Sequence, residues 1–303
     1  MVKRIANRIK KWLGMPLSAT LDSYSLIQAL SHKWELRHYK EHYSTEDIIE
    51  RLKSLGMKEG SCVFIHSSWG SFFNYDGTEK DLIEGILHVL GPAGTLAMPA
   101  FPLQRNKVFN LKKSITGAGL LAEAFRRFPG VKRSINEQHS VCAIGPLSDY
   151  LLSEHHLGET CWDEKSPYYR LSQVNAIIFC LGLGYSFMGT VIHCVDSMNR
   201  GNVKYYSDFF SSEPQIHKYI DYDGEEKHYS CYDLCVNRRY KITPQIFFLR
   251  RYFTGREYKN TRISNLTINA FYAEHYIPRL IELGRKGIDV YMKPSKKGYK
   301  FEK

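Results

Sequence analysis

No apolar run in the 303 residues reaches the roughly 18 that a membrane-spanning helix requires, which excludes an integral helical membrane protein. The opening residues, MVKRIANRIKK, are basic, but no apolar core or small-residue cleavage site follows them, so no secretory signal is expected and the chain reads as cytoplasmic. Seven cysteines (62, 142, 161, 180, 194, 231 and 235) form no Cys-x-x-Cys pair. Cys231 and Cys235 in CYDLC are the only close pair, and no finger-spaced partner follows; zinc is set aside on this ground and no metal is expected. Several of the cysteines lie in apolar runs such as SCVFI and IIFCL and read as reduced core residues. Also lacking are a Gly-x-Gly-x-x-Gly fingerprint, a P-loop, an internal repeat and a long linker. Acidic residues are the scarcer charge, 31 against 42 basic, giving a net charge of +11 that favours anionic partners. Nucleic acid is not the expected one, because the basic residues are spread over the first turns, the 238–262 region and the tail, with no recognisable module.

What is present is the material of an ordered globule, with 43% hydrophobic and 14% aromatic residues. Val2, Ile5, Ile9, Trp12 and Leu13 recur at helical spacing with lysines and arginines between them, predicting a basic amphipathic helix. It either lies on an anionic bilayer, as a peripheral contact through residues 1–13, or packs on its own protein. From Ser44 the pattern becomes regular. Ser44 with Asp47 predicts a capped helix ending at Gly56; a second helix spans EKDLIEGILHVL and closes at Gly91-Pro92. The short apolar runs in SCVFIHSSW, TLAMPAF, SVCAIG and NAIIFCLG predict buried strands, with helical GLLAEAFRRF and LSDYLLSEH among them.

This alternation predicts an α/β fold, a central and largely buried sheet flanked by helices in three layers, with sites in loops at strand ends. After residue 203, QIHKYIDYDGEEKHYSCYDL alternates around Asp223-Gly224 and predicts a hairpin in a smaller C-terminal lobe, followed by helical segments that include NAFYAEHYIPRLIEL. The expected division is 1–43, the basic helix and lead-in; 44–202, the α/β core; and 203–303, a smaller lobe with closing helices and a basic tail.

The stretch 181–196, LGLGYSFMGTVIHCVD, follows a predicted strand and ends in His, Cys and Asp within four residues. Gly182, Gly184 and Gly189 do not have phosphate-loop spacing and read as turn glycines. Thr190 is a suitable N-cap, which places His193 in a first helical turn, where the helix dipole disfavours imidazolium. Asp196, three residues on, shares the face of His193 and can orient its ring. Cys194 points about 100° away, so a Cys-His nucleophile pair is geometrically poor. The residues alone leave open a general base and an ordinary helix-start histidine.

Six segments in order resemble the aminoglycoside 3-N-acetyltransferase family: GMKEGSCVFIHSSWGSF, LGPAGTLAMPAF, SITGAGLLAEAFRRFPGVKRS, HSVCAIGP, SPYYRL and LGLGYSFMGTVIHCVD. They span about residues 45 to 200, and ISNLTINAFY is similar more weakly. The resemblance implies CoA-dependent N-acetyl transfer, with acetyl-CoA as co-substrate and no covalent enzyme intermediate. Thr190, His193 and Asp196 fall on the family's Thr-x-x-His-x-x-Glu segment, which implies His193 as the base for the acceptor amine. His66, Ser67 and Ser68 are similar to the coenzyme-binding loop; Ser114, Thr116 and Gly117 are further contacts, and Arg133 a phosphate contact. Turn chemistry is the other reading of the serines, and a structural hydrogen bond that of His66.

The chain departs from the family twice. Asn136-Glu137 stand where many members have His-Pro, and Asp196 replaces Glu. Aspartate is one methylene shorter, so its bond to His193 calls for a water or a shifted helix. The net charge points to an acceptor that is a nucleotide- or lipid-linked amino sugar of bacterial surface polysaccharide biosynthesis. The alternatives are an aminoglycoside acceptor, conferring antibiotic resistance, and a non-catalytic binding protein on a degenerate acetyltransferase fold.

Overall fold

Every second residue of the predicted strands enters a different core. In β1 (Cys62–Ser67), Cys62 and Phe64 pack on one side of the sheet while Val63 and Ile65 pack on the other. In β6 (Ile177–Leu181), Ile178 and Cys180 join the first group, and Ile177, Phe179 and Leu181 the second. Period-2 alternation with both faces apolar is the signature of a sheet covered on each side.

The computed structural model describes residues 2–13, 23–103, 108–184, 188–235 and 249–290. The expected basic tail, part of the 238–262 region and positions 185–187 of the glycine-bearing stretch lie outside the described residues. The main sheet has seven strands in the order β4-β5-β2-β1-β6-β10-β9. Besides β1 and β6 these are β2 (Thr95–Pro99), β4 (Lys132–Arg133), β5 (Val141–Ile144), β9 (Tyr258–Ile263) and β10 (Leu266–Tyr272). β1 runs parallel to β2 and β6, while the outer pairings are antiparallel. A smaller sheet joins β3 (Phe109–Asn110) to the hairpin β7 (Gln215–Ile220) and β8 (Glu226–Cys231).

One face is covered by α3 (Thr45–Ser54), α4 (Glu79–Leu90) and α5 (Leu120–Arg126) through Ile48, Leu52, Ile83, Ile86, Leu121 and Phe125. Capping boxes start the first two of these helices: Ser44 with Asp47, as expected, and Thr78 with Asp81. The other face carries Trp162, Tyr168, Leu171, Val191, Val195, Tyr276 and Leu280 from α7 (Pro167–Arg170), α8 (Cys194–Asn199), α10 (Ala273–Arg285) and their connections. Among the described residues the remaining α-helices are α1 (Val2–Leu13), α2 (Ser23–His38), α6 (Ser148–Leu152) and α9 (Lys204–Ser207).

Two expectations change. The helix expected from Asn269 begins at Ala273, because Leu266–Tyr272 pairs with both β6 and β9. Consequently the 203–303 segment is not one lobe: β7 and β8 belong to the small sheet, whereas β9, β10 and α10 complete the main one. The amphipathic α1 forms and leaves Ile5, Ile9 and Trp12 exposed, with Lys33 Nζ 3.7 Å above the Trp12 ring. Six of the seven cysteines are buried and none is in a disulfide. Among the described residues no helix is long and apolar enough to cross a membrane.

Two buried histidines give stability a pH dependence. Burial pushes both His66 and His155 down to about 3 from an ordinary 6.5. The unfolded chain gains these protons near pH 6.5 while the folded chain does not, so stability present above that pH is lost progressively as pH falls toward 3. Urea midpoints should therefore fall between pH ~7 and ~5, and His155→Gln should flatten the slope. Identical slopes in the two proteins would contradict this origin.

Candidate active site

β1, β2 and β6 run in one direction, and their carboxyl ends open on a cleft of about 250 Å³. It is lined by His66 and Ser67 from β1, Pro99 from β2, Phe101, Ala118, and Met188, Gly189, Thr190, Ile192 and His193 beyond β6. Ligand sites of open α/β sheets form at this edge, where loops diverge.

His193 sits where the 3-10 turn Thr190–His193 passes into α8. Its ring Nδ1 lies 3.2 Å from Asp196 Oδ2, and both residues are buried. The contact is direct: the shorter aspartate reaches the imidazole across the junction of the two helix types without an intervening water. Trp162, fully buried, lies 4.9 Å ring to ring from His193 and 4.3 Å from His139, which in turn faces Phe101. An aromatic wall thus confines the imidazole on its core side.

Thr190 does not cap the turn with its side chain; Gly189 occupies that position, at φ +69. A Cβ at Gly189 would stand 2.6 Å from His66 Cδ2, so the chain crosses directly over that ring, a close approach that only glycine permits. His66 Nε2 accepts from the Thr190 backbone N–H at 3.3 Å. An accepting nitrogen on a ring kept neutral by burial is a structural support for the His193 turn, the other role considered for His66. Cys194 is wholly buried, and burial pushes its thiol well up from the ordinary range, which removes it as a nucleophile.

The expected coenzyme contacts divide. His66 and Ser67 line the cleft, as does Thr190, expected with His193 and Asp196 in the catalytic set. Ser68 begins the loop, with its backbone N–H given to Leu181 O at 3.0 Å. Ser114 Oγ accepts from Asn110 N, Thr116 Oγ1 donates to Phe101 O, and Gly117 N donates to the same carbonyl, so these residues fasten the loop that brings Ala118 to the rim. Arg133 is not placed for a phosphate. It is buried, donates to Ser140 Oγ, Ser114 O and Ala100 O, and lies over the Phe109 ring, because an unpaired guanidinium in that interior would be costly.

Sequence reasoning missed Trp162 and His139. His139 falls within a family-like segment as its first residue, but Trp162 lies in a loop without any motif. At the first departure from the family, Asn136 Oδ1 accepts from the backbone of Gln138 and His139, while Glu137 N donates to Tyr229 of β8. This departure shapes a turn and docks it on the small sheet.

A seven-stranded mixed sheet between helical layers, with a carboxylate-held histidine at the end of its parallel strands, defines an α/β protein with a candidate general base at its strand ends. The model of the aminoglycoside 3-N-acetyltransferase family matches residues 64–243, and the chain belongs to that family. Aminoglycoside N(3)-acetyltransferase IV of Salmonella sp is 29% identical over 154 residues, covering 50% of this chain and 58% of that protein. The match thus spans less than two thirds of that relative's length. Among solved structures, the aminoglycoside acetyltransferase AAC(3)-IVa apoenzyme has a TM-score of 0.66 at 21% identity, covering 86% of this chain and 95% of that one. AAC-IIIb in binary complex with CoASH has a TM-score of 0.67 at 15% identity, covering 84% and 100%. At such identities the likeness of the structures concerns the fold.

Proposed function

We propose that the protein transfers the acetyl group of acetyl-CoA to an amine of an aminoglycoside-type amino sugar. The observation that carries the reading is the buried Asp196–His193 pair opening on the cleft at the carboxyl ends of the parallel strands. Asp196 holds Nδ1, so the proton-accepting role falls to Nε2. The amine nitrogen attacks the thioester carbon, a C–N bond forms, His193 takes the ammonium proton, and the C–S bond breaks as CoA thiolate leaves and recovers a proton. Positioning the two substrates together lowers much of the barrier. Acetyl-CoA would enter beside Ser67 and Thr190.

The acceptor differs from the one that net charge suggests. Family membership and the relative's name favour an aminoglycoside, and nothing in the comparisons favours a nucleotide- or lipid-linked sugar or polysaccharide biosynthesis. Net charge sums the whole surface, whereas recognition is local. Glu159, Asp163 and Glu164 gather, with Lys165 and Arg200, on one cleft beside α8 despite the basic total. Expression in a susceptible bacterium should raise tolerance to gentamicin- or kanamycin-type drugs; unchanged tolerance with soluble, CoA-binding protein would count against this acceptor. Peripheral contact of α1 with anionic bilayers belongs to the same proposal, and cosedimentation with anionic but not zwitterionic vesicles tests it.

A further inference from the structure

Behind the Trp162 wall, one group of donor atoms has no part in the acyl-transfer chemistry. His217, Cys231 and Asp233 each offer a ligand atom, and these atoms all lie within 4.8 Å of one another; among the described residues no other such cluster occurs. Strand register assembles it. His217 pairs with Tyr229 across the hairpin, and Cys231 is two residues farther along β8, so imidazole and thiol are diagonal neighbours on one face. Asp233 follows, with Oδ1 2.7 Å from His217 Nε2. Cys161, immediately before Trp162 and fully buried, shares a hydrogen bond with Cys231 and donates to Gln138 Oε1 at 3.4 Å. A second thiol therefore stands at the edge of the cluster.

We infer that His217, Cys231, Asp233 and Cys161 form a binding site for one structural zinc ion. Two thiols, an imidazole and a carboxylate are donors that zinc prefers, and four are the number it takes in closed sites; the ligand atoms of His217, Cys231 and Asp233, all within 4.8 Å of one another, need little contraction to reach tetrahedral contact, and Cys161 beside Cys231 supplies the fourth. Cys161 and Cys231 are almost fully buried and His217 nearly so, as a closed structural site requires. The imidazole stands between two carboxylates, with Nε2 2.7 Å from Asp233 Oδ1 and Nδ1 3.5 Å from Glu137 Oε1, so anionic groups face it from both sides. Zinc binding displaces protons from thiol ligands and releases them. Finger spacing is irrelevant here, because the ligands come from a hairpin and a distant loop. The ion ties the small sheet to the loop that carries Trp162, and so to the wall behind His193, without touching substrate.

The test measures metal in protein expressed with zinc and purified without a polyhistidine tag, by elemental mass spectrometry, and then follows cobalt titration of the chelated protein. The inference expects about one zinc per chain and a thiolate-to-cobalt charge-transfer band. Cys231→Ser and Cys161→Ser should each weaken cobalt binding by at least about tenfold and diminish the band, and the double variant should lose it. Wild-type protein that neither carries zinc nor binds cobalt overturns the inference, and needs no variant to fold. A Cys161–Cys231 disulfide in protein purified under reducing conditions, or cobalt binding unchanged in both variants, overturns it too.

Discussion

Replacing His193 by alanine is expected to slow acetyl transfer by roughly 10² to 10⁴ while leaving CoA affinity close to that of the wild type. Among the described residues the imidazole is the one titratable ring that both lines the cleft and is held by a buried carboxylate. His66 also lines the cleft, but it accepts the Thr190 N–H and is pushed down to about 3 by burial, so it is committed to the turn. Asp196→Asn should lower kcat more than it raises the KM for acetyl-CoA, because it disturbs ring orientation and not coenzyme contact. Steady-state kinetics with coenzyme titration checks both; near-normal turnover by the alanine variant would remove His193 from the mechanism.

The second large effect concerns stability. Trp162→Ala should cost about 3–5 kcal/mol, a large share of the 5–15 kcal/mol that holds a typical domain folded. Its side chain is fully buried between His139 and His193, where contraction around an empty indole site would have to move both rings. Chemical denaturation measures the loss, and Trp162→Phe should restore much of it while keeping the wall. A cost below about 1 kcal/mol would mean that the surroundings collapse freely and that the wall does not position His193.

Much of this architecture is legible in the residues because local signals and tertiary packing agree. Cys62–Ile65 and Ile177–Leu181 are apolar without a break, and both faces of the sheet are indeed covered. Ser44 and Gly91 mark helix ends through chemistry that needs no partner from elsewhere. β10 was hidden because NAFYAEHY carries no breaker at the strand-to-helix change; pairing with β6 and β9 decides where the helix begins. At the site, spacing brings Asp196 to His193, since three residues along a helix are neighbours. Arg133 misled for the opposite reason: a family segment fixes its position but not its partners, and the interior absorbs its guanidinium. Trp162, His217 and Cys231 meet their partners only through tertiary folding.

The most direct test of the central claim is mass spectrometry of purified protein incubated with acetyl-CoA, an aminoglycoside panel and nucleotide-linked amino sugars together. The account predicts that an aminoglycoside gains a single acetyl group with wild-type protein and remains essentially unmodified with His193→Ala. Acetylation confined to a nucleotide-linked sugar, or equal acetylation by the two proteins, would contradict it.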